Sequence, residues 1–144
     1  MAVLAAAISV TACSSAVSVP DPAPTGQSEQ VCTPLMADLP VTVLDGQRRK
    51  VEPGRRSAAW GDPAITLRCG VEKPPKLTAA SPCYEVNGVG WFAEEASGGY
   101  LFTTIGRTAF IEVGVPSEYA PEANALVDLA ATVSRHDPLL KPCL

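Results

Sequence analysis

The chain has 144 residues, of which 47% are apolar and 18% are charged, and its formal net charge at pH 7 is -4. This length and apolar content suit one domain with its own core and exclude a wholly disordered chain. The acidic balance argues against a general nucleic-acid binder, because such proteins depend on clustered Lys and Arg. The 14 prolines and 11 glycines predict short elements joined by many turns.

Residues 2–10 (AVLAAAISV) form an apolar run that is too short to span a bilayer and has the length of a signal-peptide core. The run leads into Val-Thr-Ala-Cys, which resembles the lipobox of bacterial lipoproteins, where the cysteine thiol carries the lipid. No Lys or Arg precedes the run, a departure that an upstream start codon or a weak signal would explain. We expect a signal peptide at 1–12 and lipid attachment at Cys13; the alternative is an ordinary apolar N-terminus with a chance cysteine.

Residues 14–30 are rich in Ser, Pro and small polar residues and show no apolar period. Such a composition is typical of a flexible linker. We therefore predict a lipid-anchored flexible tether at 13–30, followed by a single globular domain at 31–144.

The predicted domain begins with a short helix and a series of strands. Apolar residues at helical spacing mark the helix, and the alternation of Ile65, Leu67 and Cys69 with Thr66 and Arg68 marks the clearest early strand. In chain order the pattern predicts a helix at 31–39, a strand at 41–44, a polar loop at 47–56, a strand at 64–69 and an irregular segment at 70–82.

The second half predicts an antiparallel meander and a helix. Asn87-Gly88 is typical of a type I′ hairpin, although a bulge in one longer strand is an alternative. Further strands are predicted at 91–94, 100–105 and 108–115, and a long helix at 121–136. The expected fold is α+β, with a small antiparallel sheet of about four to five strands, a short N-terminal helix and a long C-terminal helix packed on one face.

Four cysteines remain once Cys13 is set aside: Cys32, Cys69, Cys83 and Cys143. An exported domain matures where disulfides form, so we expect a disulfide framework, for which three connectivities are possible. Zinc or redox chemistry is disfavoured because no Cys-x-x-Cys occurs and His136 is the single histidine. No metal or other cofactor is expected.

Two features suggest an interaction surface, and each has a structural alternative. Trp60 stands beside a glycine and could stack on a sugar ring or a peptide, but a place in the core is the favoured alternative. A cluster of cations could touch anionic lipid or an acidic wall polymer, or be a solvated loop. Its members are Arg48, Arg49, Lys50, Arg55 and Arg56.

Catalytic residues are not expected from the sequence. Glu94 and Glu95 are adjacent on a strand, so they point to opposite faces and form a poor pair for glycoside hydrolysis. A serine triad would need His136 as its base, beside the turn-forming Asp137-Pro138, and no Gly-x-Ser-x-Gly is present.

Several strings together resemble a known family. They are WGDPAITLRCGV at 60–71, VNGVGW at 86–91, FTTIGR at 102–107 and VGVP at 113–116. They resemble the actinobacterial exported lipoprotein family catalogued as Domain of Unknown Function 3515, from about Cys32 to the C-terminus. The resemblance implies the pairs Cys32–Cys69 and Cys83–Cys143. The runner-up is Cys69–Cys83, because that pair closes the shortest loop. The resemblance also implies a class and a compartment but no activity.

The leading functional expectation is an uncharacterised, lipid-anchored cell-envelope protein that acts as a non-enzymatic binding or envelope-assembly accessory domain. It would lie on the extracytoplasmic face of the cell membrane, or be secreted. Its expected partners are the membrane, through the lipid, and an envelope protein or wall polymer, with no nucleic acid. The alternatives are an extracytoplasmic enzyme acting on envelope glycan or peptide and a small-ligand carrier that uses the cleft between sheet and helix.

Overall fold

The computed structural model describes residues 15–143, so Cys13 and the predicted signal peptide lie outside the described residues. Two helices and ten strands are present in this part of the chain. In chain order they are β1 (Val17–Val19), α1 (Gly26–Ala37), β2 (Thr42–Val43), β3 (Gly46–Arg49), β4 (Val51–Pro53), β5 (Ser57–Trp60), β6 (Ile65–Cys69), β7 (Tyr84–Val86), β8 (Val89–Ala96), β9 (Gly99–Thr104), β10 (Ile111–Pro116) and α2 (Ala125–His136).

The dominant feature is an antiparallel sheet of eight strands in the order β2-β3-β5-β6-β10-β9-β8-β7, beside a two-stranded parallel sheet of β1 and β4. The prediction of a small sheet of four to five strands was therefore wrong. The sequence pattern missed strands in the basic segment, which was expected to be a loop but contains β3 and β4. Strands near a sheet edge bury little surface, so they lack the apolar alternation that identifies a central strand.

The helix prediction also needs correction. The C-terminal helix α2 has 12 residues, as α1 has, so it is not the longer of the two. A 3₁₀ turn at Glu122–Asn124 occupies the start of the predicted helix, and α1 begins at Gly26 rather than at residue 31. Within the described residues, neither helix is long and apolar enough to cross a bilayer.

The core lies between one face of the eight-stranded sheet and both helices. Directly opposed residues of antiparallel strands share a face. Leu67 is opposite Ala58 and Val113, Val113 is opposite Phe102, and Phe102 is opposite Ala93, so one row of side chains crosses five strands. Both helices pack buried side chains against this face. From α1 these are Val31, Cys32 and Leu35, and from α2 they are Leu126, Leu129 and Val133.

Part of the segment predicted as a flexible tether is ordered. Val17–Val19 form β1, which pairs in parallel with β4. After β1, the Asp21 carboxylate accepts hydrogen bonds from the backbone N–H groups of Arg55 and Arg56 and from the Ser57 hydroxyl. Burial opposes ionisation of Asp21, but these hydrogen bonds keep its pKa below the ordinary value. Within the described residues, regular structure is thus present from Val17, well before residue 31.

Two disulfides link distant parts of the fold, in the pairs that the family resemblance implies. Cys32–Cys69 joins α1 to the central strand β6, with a Cα–Cα distance of 5.6 Å, and both residues are fully buried. Cys83–Cys143 joins the C-terminal tail to the start of β7, with a Cα–Cα distance of 5.7 Å, and is partly exposed. The tail is also held by Leu140 and Lys141, whose N–H groups both donate to the Gly106 carbonyl.

Candidate functional site

A largely apolar groove of about 350 Å³ lies between the β7 end of the sheet and the start of α2. We call it the aromatic groove. Tyr84, Val86, Ala93, Tyr100 and Phe102 line it on the sheet side, and Pro121, Glu122, Ala123 and Leu126 line it on the helix side. This volume is at the lower end of the range for sites that bind a small molecule.

The groove exists because β7 is shorter than β8. The pairing of β7 with β8 starts at Tyr84, opposite Trp91, and ends at the Asn87-Gly88 turn. Among the residues that the structure describes, β8 therefore has β9 on one side and no strand on the other from residue 92 to residue 96. Ala93 lies in this open half, and its small side chain leaves a depression on the helix-facing side of the sheet.

Aromatic rings form the walls of the groove. Tyr100 and Phe102 lie two residues apart on β9, so both point to the helix-facing side, and their ring centroids are 5.8 Å apart with planes 21° from parallel. Tyr84 stands beside them on β7 with 56% of its surface exposed. A large exposed aromatic side chain next to partly buried ones is a common feature of binding surfaces.

The open half of β8 also presents unpaired backbone groups. Ile105 donates its N–H to the Gly90 carbonyl, so the even-numbered residues of β8 hydrogen-bond toward β9. Because hydrogen-bonding direction alternates along a strand, the N–H and C=O groups of Ala93 and Glu95 point away from β9. Within residues 15–143, no hydrogen bond to these groups is found.

The electrostatic character of the groove is acidic. Glu122 is the single charged side chain in its lining, and Glu95 lies on the same face of β8 at the open end, opposite Tyr100. None of the described residues that line the groove is basic. An anionic ligand would therefore find no countercharge there, whereas a cationic one would.

Trp60 lies in the core, which was the favoured interpretation of this residue, and not on an interaction surface. Its side chain is fully buried in the core, and its indole N–H donates to the Pro40 carbonyl at 2.9 Å. The Arg48 guanidinium lies over the ring at 5.2 Å from the centroid. Trp60 thus anchors β5 and cannot stack on a ligand.

The predicted basic cluster is mostly neutralised by neighbouring acids. Arg56 binds Glu29, and this hydrogen bond lowers the pKa of Glu29 and raises that of Arg56. The other pairs in the cluster are Arg49–Asp62 at 3.8 Å and Lys50–Glu52 at 3.1 Å. Arg55 is exposed. The cluster therefore presents a weaker positive field than its sequence suggests.

The titratable side chains Asp62 and His136 lie apart from the groove. Asp62 pairs with Arg49, and His136 contacts Asp38 at 2.8 Å at the end of α2. The hydrogen bonds from His136 and Arg135 lower the pKa of Asp38. Glu94 and Glu95 lie on opposite faces of β8, as expected from strand geometry.

Among the acidic side chains that the structure describes, Asp137 has the most strongly shifted pKa, and its contacts are to the backbone of the fold. It is fully buried at the end of α2, where its Oδ1 accepts the Ala109 N–H at 3.1 Å. The Arg107 guanidinium donates to the Asp137 backbone carbonyl and to the Gly88 carbonyl. Burial raises the pKa of Asp137 to about 6, although the Ala109 and Thr108 N–H groups and the Arg107 charge oppose the rise.

This raised pKa predicts a pH-dependent stability. The folded protein holds the Asp137 proton more tightly than the unfolded chain, so this group adds stability as the pH falls and loses it as the pH rises through about 6. Between pH 7.5 and pH 5 the contribution is on the order of 1 kcal/mol. Asp137→Asn, which keeps the Oδ1 acceptor, should remove this contribution from urea-unfolding curves taken at the two pH values. Parallel pH profiles of the variant and the parent would contradict the assignment.

The groove was missed at the sequence level because its residues read as ordinary strand positions. Tyr84, Tyr100 and Phe102 are far apart in the chain, and each fits a core role by itself. The one signal in the sequence that bears on the groove was the Asn87-Gly88 turn, which marks the end of β7. The structure shows that β7 has only three residues, so β8, with eight, is longer than its partner. Only the start of β7 at Tyr84 shows that half of β8 is open.

Comparisons with known proteins give one match. Residues 1–140 match the family model described as "Protein of unknown function (DUF3515)". No curated protein and no solved structure matches the chain.

Proposed function

The chain belongs to the DUF3515 family of proteins of unknown function, and we propose that it is a lipid-anchored protein of an actinobacterial cell envelope that binds a partner through the aromatic groove. The observation that carries the binding role is the groove itself, where aromatic walls lie beside an unpaired strand edge. The two disulfides support an extracytoplasmic location, since such bonds persist in oxidising compartments. The lipobox-like string ending at Cys13 supports the anchor.

The geometry relates the proposed anchor to the groove. The chain from Cys13 to Val17 can span at most about 14 Å, so the β1–β4 sheet would be held close to the membrane. The N–H of Val17 donates to the carbonyl of Lys50, so exposed basic side chains of the 48–56 segment lie near β1, the described part of the chain that would be nearest to the proposed anchor. Basic side chains there would attract anionic lipid headgroups, and the acidic residues that pair with them would reduce the strength of this attraction.

The groove lies at the other end of the eight-stranded sheet. The basic segment includes the end of β3, and β8 lies five positions from β3 in the strand order. At the usual spacing between strands, this corresponds to about 24 Å. An anchor at the β1 end would therefore leave the groove at a distance from the membrane-attached end of the domain, where a partner in the envelope could reach it. This arrangement favours a binding role over a purely structural one.

Fatty-acid labelling tests the anchor. In cells fed a clickable fatty acid, the full chain should carry the label and sediment with membranes, and Cys13→Ala should do neither. The matched control is Cys83→Ala with Cys143→Ala, which removes two disulfide-bonded cysteines distant in sequence from the proposed anchor and should keep the label. A labelled Cys13→Ala protein would refute the lipid assignment.

Crosslinking in intact cells tests the binding role. A photoreactive residue at Ala93 should capture a partner, whereas the same residue at Val41, which is 73% exposed near the opposite end of the sheet, should not. Capture at Val41 but not at Ala93 would keep a binding function and remove the groove from it. Capture at neither position would count against the binding proposal.

A further inference from the structure

We infer that the partner of the aromatic groove is an extended, basic polypeptide segment that adds as a strand to the open half of β8. The inference rests on the proposed binding function and names the chemistry of its partner. It predicts an apolar side chain in the groove and a Lys or Arg two residues away from it.

The first support is the row of backbone groups on β8. Ala93 and Glu95 direct their N–H and C=O groups toward the side that β7 leaves open. Their exposure is intermediate for Ala93 and high for Glu95, so an incoming chain can reach them. An extended peptide satisfies such groups by pairing with them, which supplies affinity that does not depend on its sequence.

The second support is the position of the groove relative to this edge. In a sheet, the side chain directly opposite Ala93 on an added strand points to the same face as Ala93, which is the helix-facing side. There it meets the depression bordered by Tyr84, Phe102 and Leu126. An apolar or aromatic side chain fits these walls, because burial against aromatic rings is favourable and no hydrogen bond is lost.

The third support is charge. The residue opposite Glu95 on an added strand also points to the helix-facing side, two positions from the residue opposite Ala93. A Lys or Arg there would face the Glu95 carboxylate, and Glu122 adds a second negative charge to the groove lining. The expected motif is therefore an apolar residue and a Lys or Arg with one residue between them, in either order along the peptide.

The same charges argue against a second copy of this chain as the occupant. An edge-to-edge dimer through β8 would bring Glu95 of one copy close to Glu95 of the other. Like charges opposed across a strand pair are destabilising, and acidic edges are one way in which proteins prevent self-association. An anionic polymer or lipid headgroup is disfavoured for the same reason.

A peptide titration tests the inference with the full, disulfide-bonded chain. The probe is the heptapeptide acetyl-Thr-Lys-Thr-Phe-Thr-Lys-Thr-amide, which carries a cation two residues from phenylalanine on both sides. Glu95→Lys should weaken its binding at least about tenfold in calorimetry. Glu94→Lys changes the charge by the same amount on the adjacent residue but on the other face of β8, and should change the affinity less than about threefold.

Two changes in the probe test the mode of binding without altering the protein. Replacing both lysines of the peptide with glutamate should abolish binding, and N-methylation of its phenylalanine should weaken binding at least about tenfold by removing a strand hydrogen bond. Amide shifts of Ala93 and Glu95 on titration should locate the peptide. Thermal unfolding of each variant verifies that it is folded.

The inference is overturned by equal binding to the Glu94 and Glu95 variants, by tighter binding of the glutamate peptide, by no peptide binding, or by self-association of the chain through β8. None of these results by itself removes the proposed binding function, which the crosslinking at Ala93 and Val41 tests separately. Capture of a glycan at Ala93 in cells would keep that function and reject the peptide.

Discussion

Replacing Cys32 and Cys69 together with alanine is expected to lower the free energy of unfolding by about 4 kcal/mol, the chain-entropy value for cross-linking residues 37 positions apart. Both sulfurs are fully buried between α1 and β6, so their removal also loosens packing in the centre of the core. Guanidinium unfolding of the oxidised double variant measures the loss. A loss below about 1 kcal/mol would show that the disulfide does not constrain the unfolded chain as this account requires.

The second disulfide provides a matched comparison for this result. Cys83–Cys143 closes a separation of 60 residues but lies at the surface, beside the C-terminal tail. Under native conditions, dithiothreitol should therefore reduce Cys83–Cys143 first, while Cys32–Cys69 should resist until the protein unfolds. Mass spectrometry after thiol alkylation distinguishes the two. Earlier alkylation of Cys32 and Cys69 would contradict the burial of that bond.

Trp60→Ala is expected to destabilise the fold by about 3–5 kcal/mol, the usual cost of truncating a buried tryptophan. The indole fills the core below β5, and its N–H satisfies the Pro40 carbonyl, so the variant leaves both a cavity and an unpaired acceptor. The measurement is urea unfolding, followed by circular dichroism because the variant loses a fluorophore.

Tyr84→Ala is the control for the tryptophan variant. Tyr84 is aromatic but 56% exposed, so its truncation should change the unfolding free energy by less than about 1 kcal/mol. The two variants therefore separate an aromatic side chain that supports the fold from one that is available to a partner. Similar losses of stability in both would place Tyr84 in the core and weaken the case for the aromatic groove.

The sequence predicted the elements whose own pattern is sufficient to define them. The alternation of Ile65, Leu67 and Cys69 matches the burial of β6, and the Asn87-Gly88 pair forms the two-residue turn between β7 and β8, with φ of 47° and 82°. Such signals are local, because a central strand must alternate to bury one face and a type I′ turn needs residues that tolerate positive φ.

Strands that depend on their neighbours were less predictable. Arg48 and Arg49 read as a loop, yet they pair with Trp60 and Ala59 in the sheet. Polar residues at the margin of a sheet carry no apolar period, and their strand state comes from hydrogen bonds to the next strand. The ordering of β1 likewise depends on its parallel pairing with β4, which is remote in sequence.

The sequence by itself therefore determined an acidic composition, several strands ahead of a C-terminal amphipathic helix, and a string at Cys13 that resembles a lipobox, and it predicted one exported domain with disulfides. The tertiary structure alone decided that the sheet has eight strands, that Trp60 is buried and that Tyr84, Ala93 and Tyr100 border one groove. The physical reason is range: periodicity and turn chemistry act over a few residues, whereas the open edge of β8 depends on where strands remote in the chain begin and end.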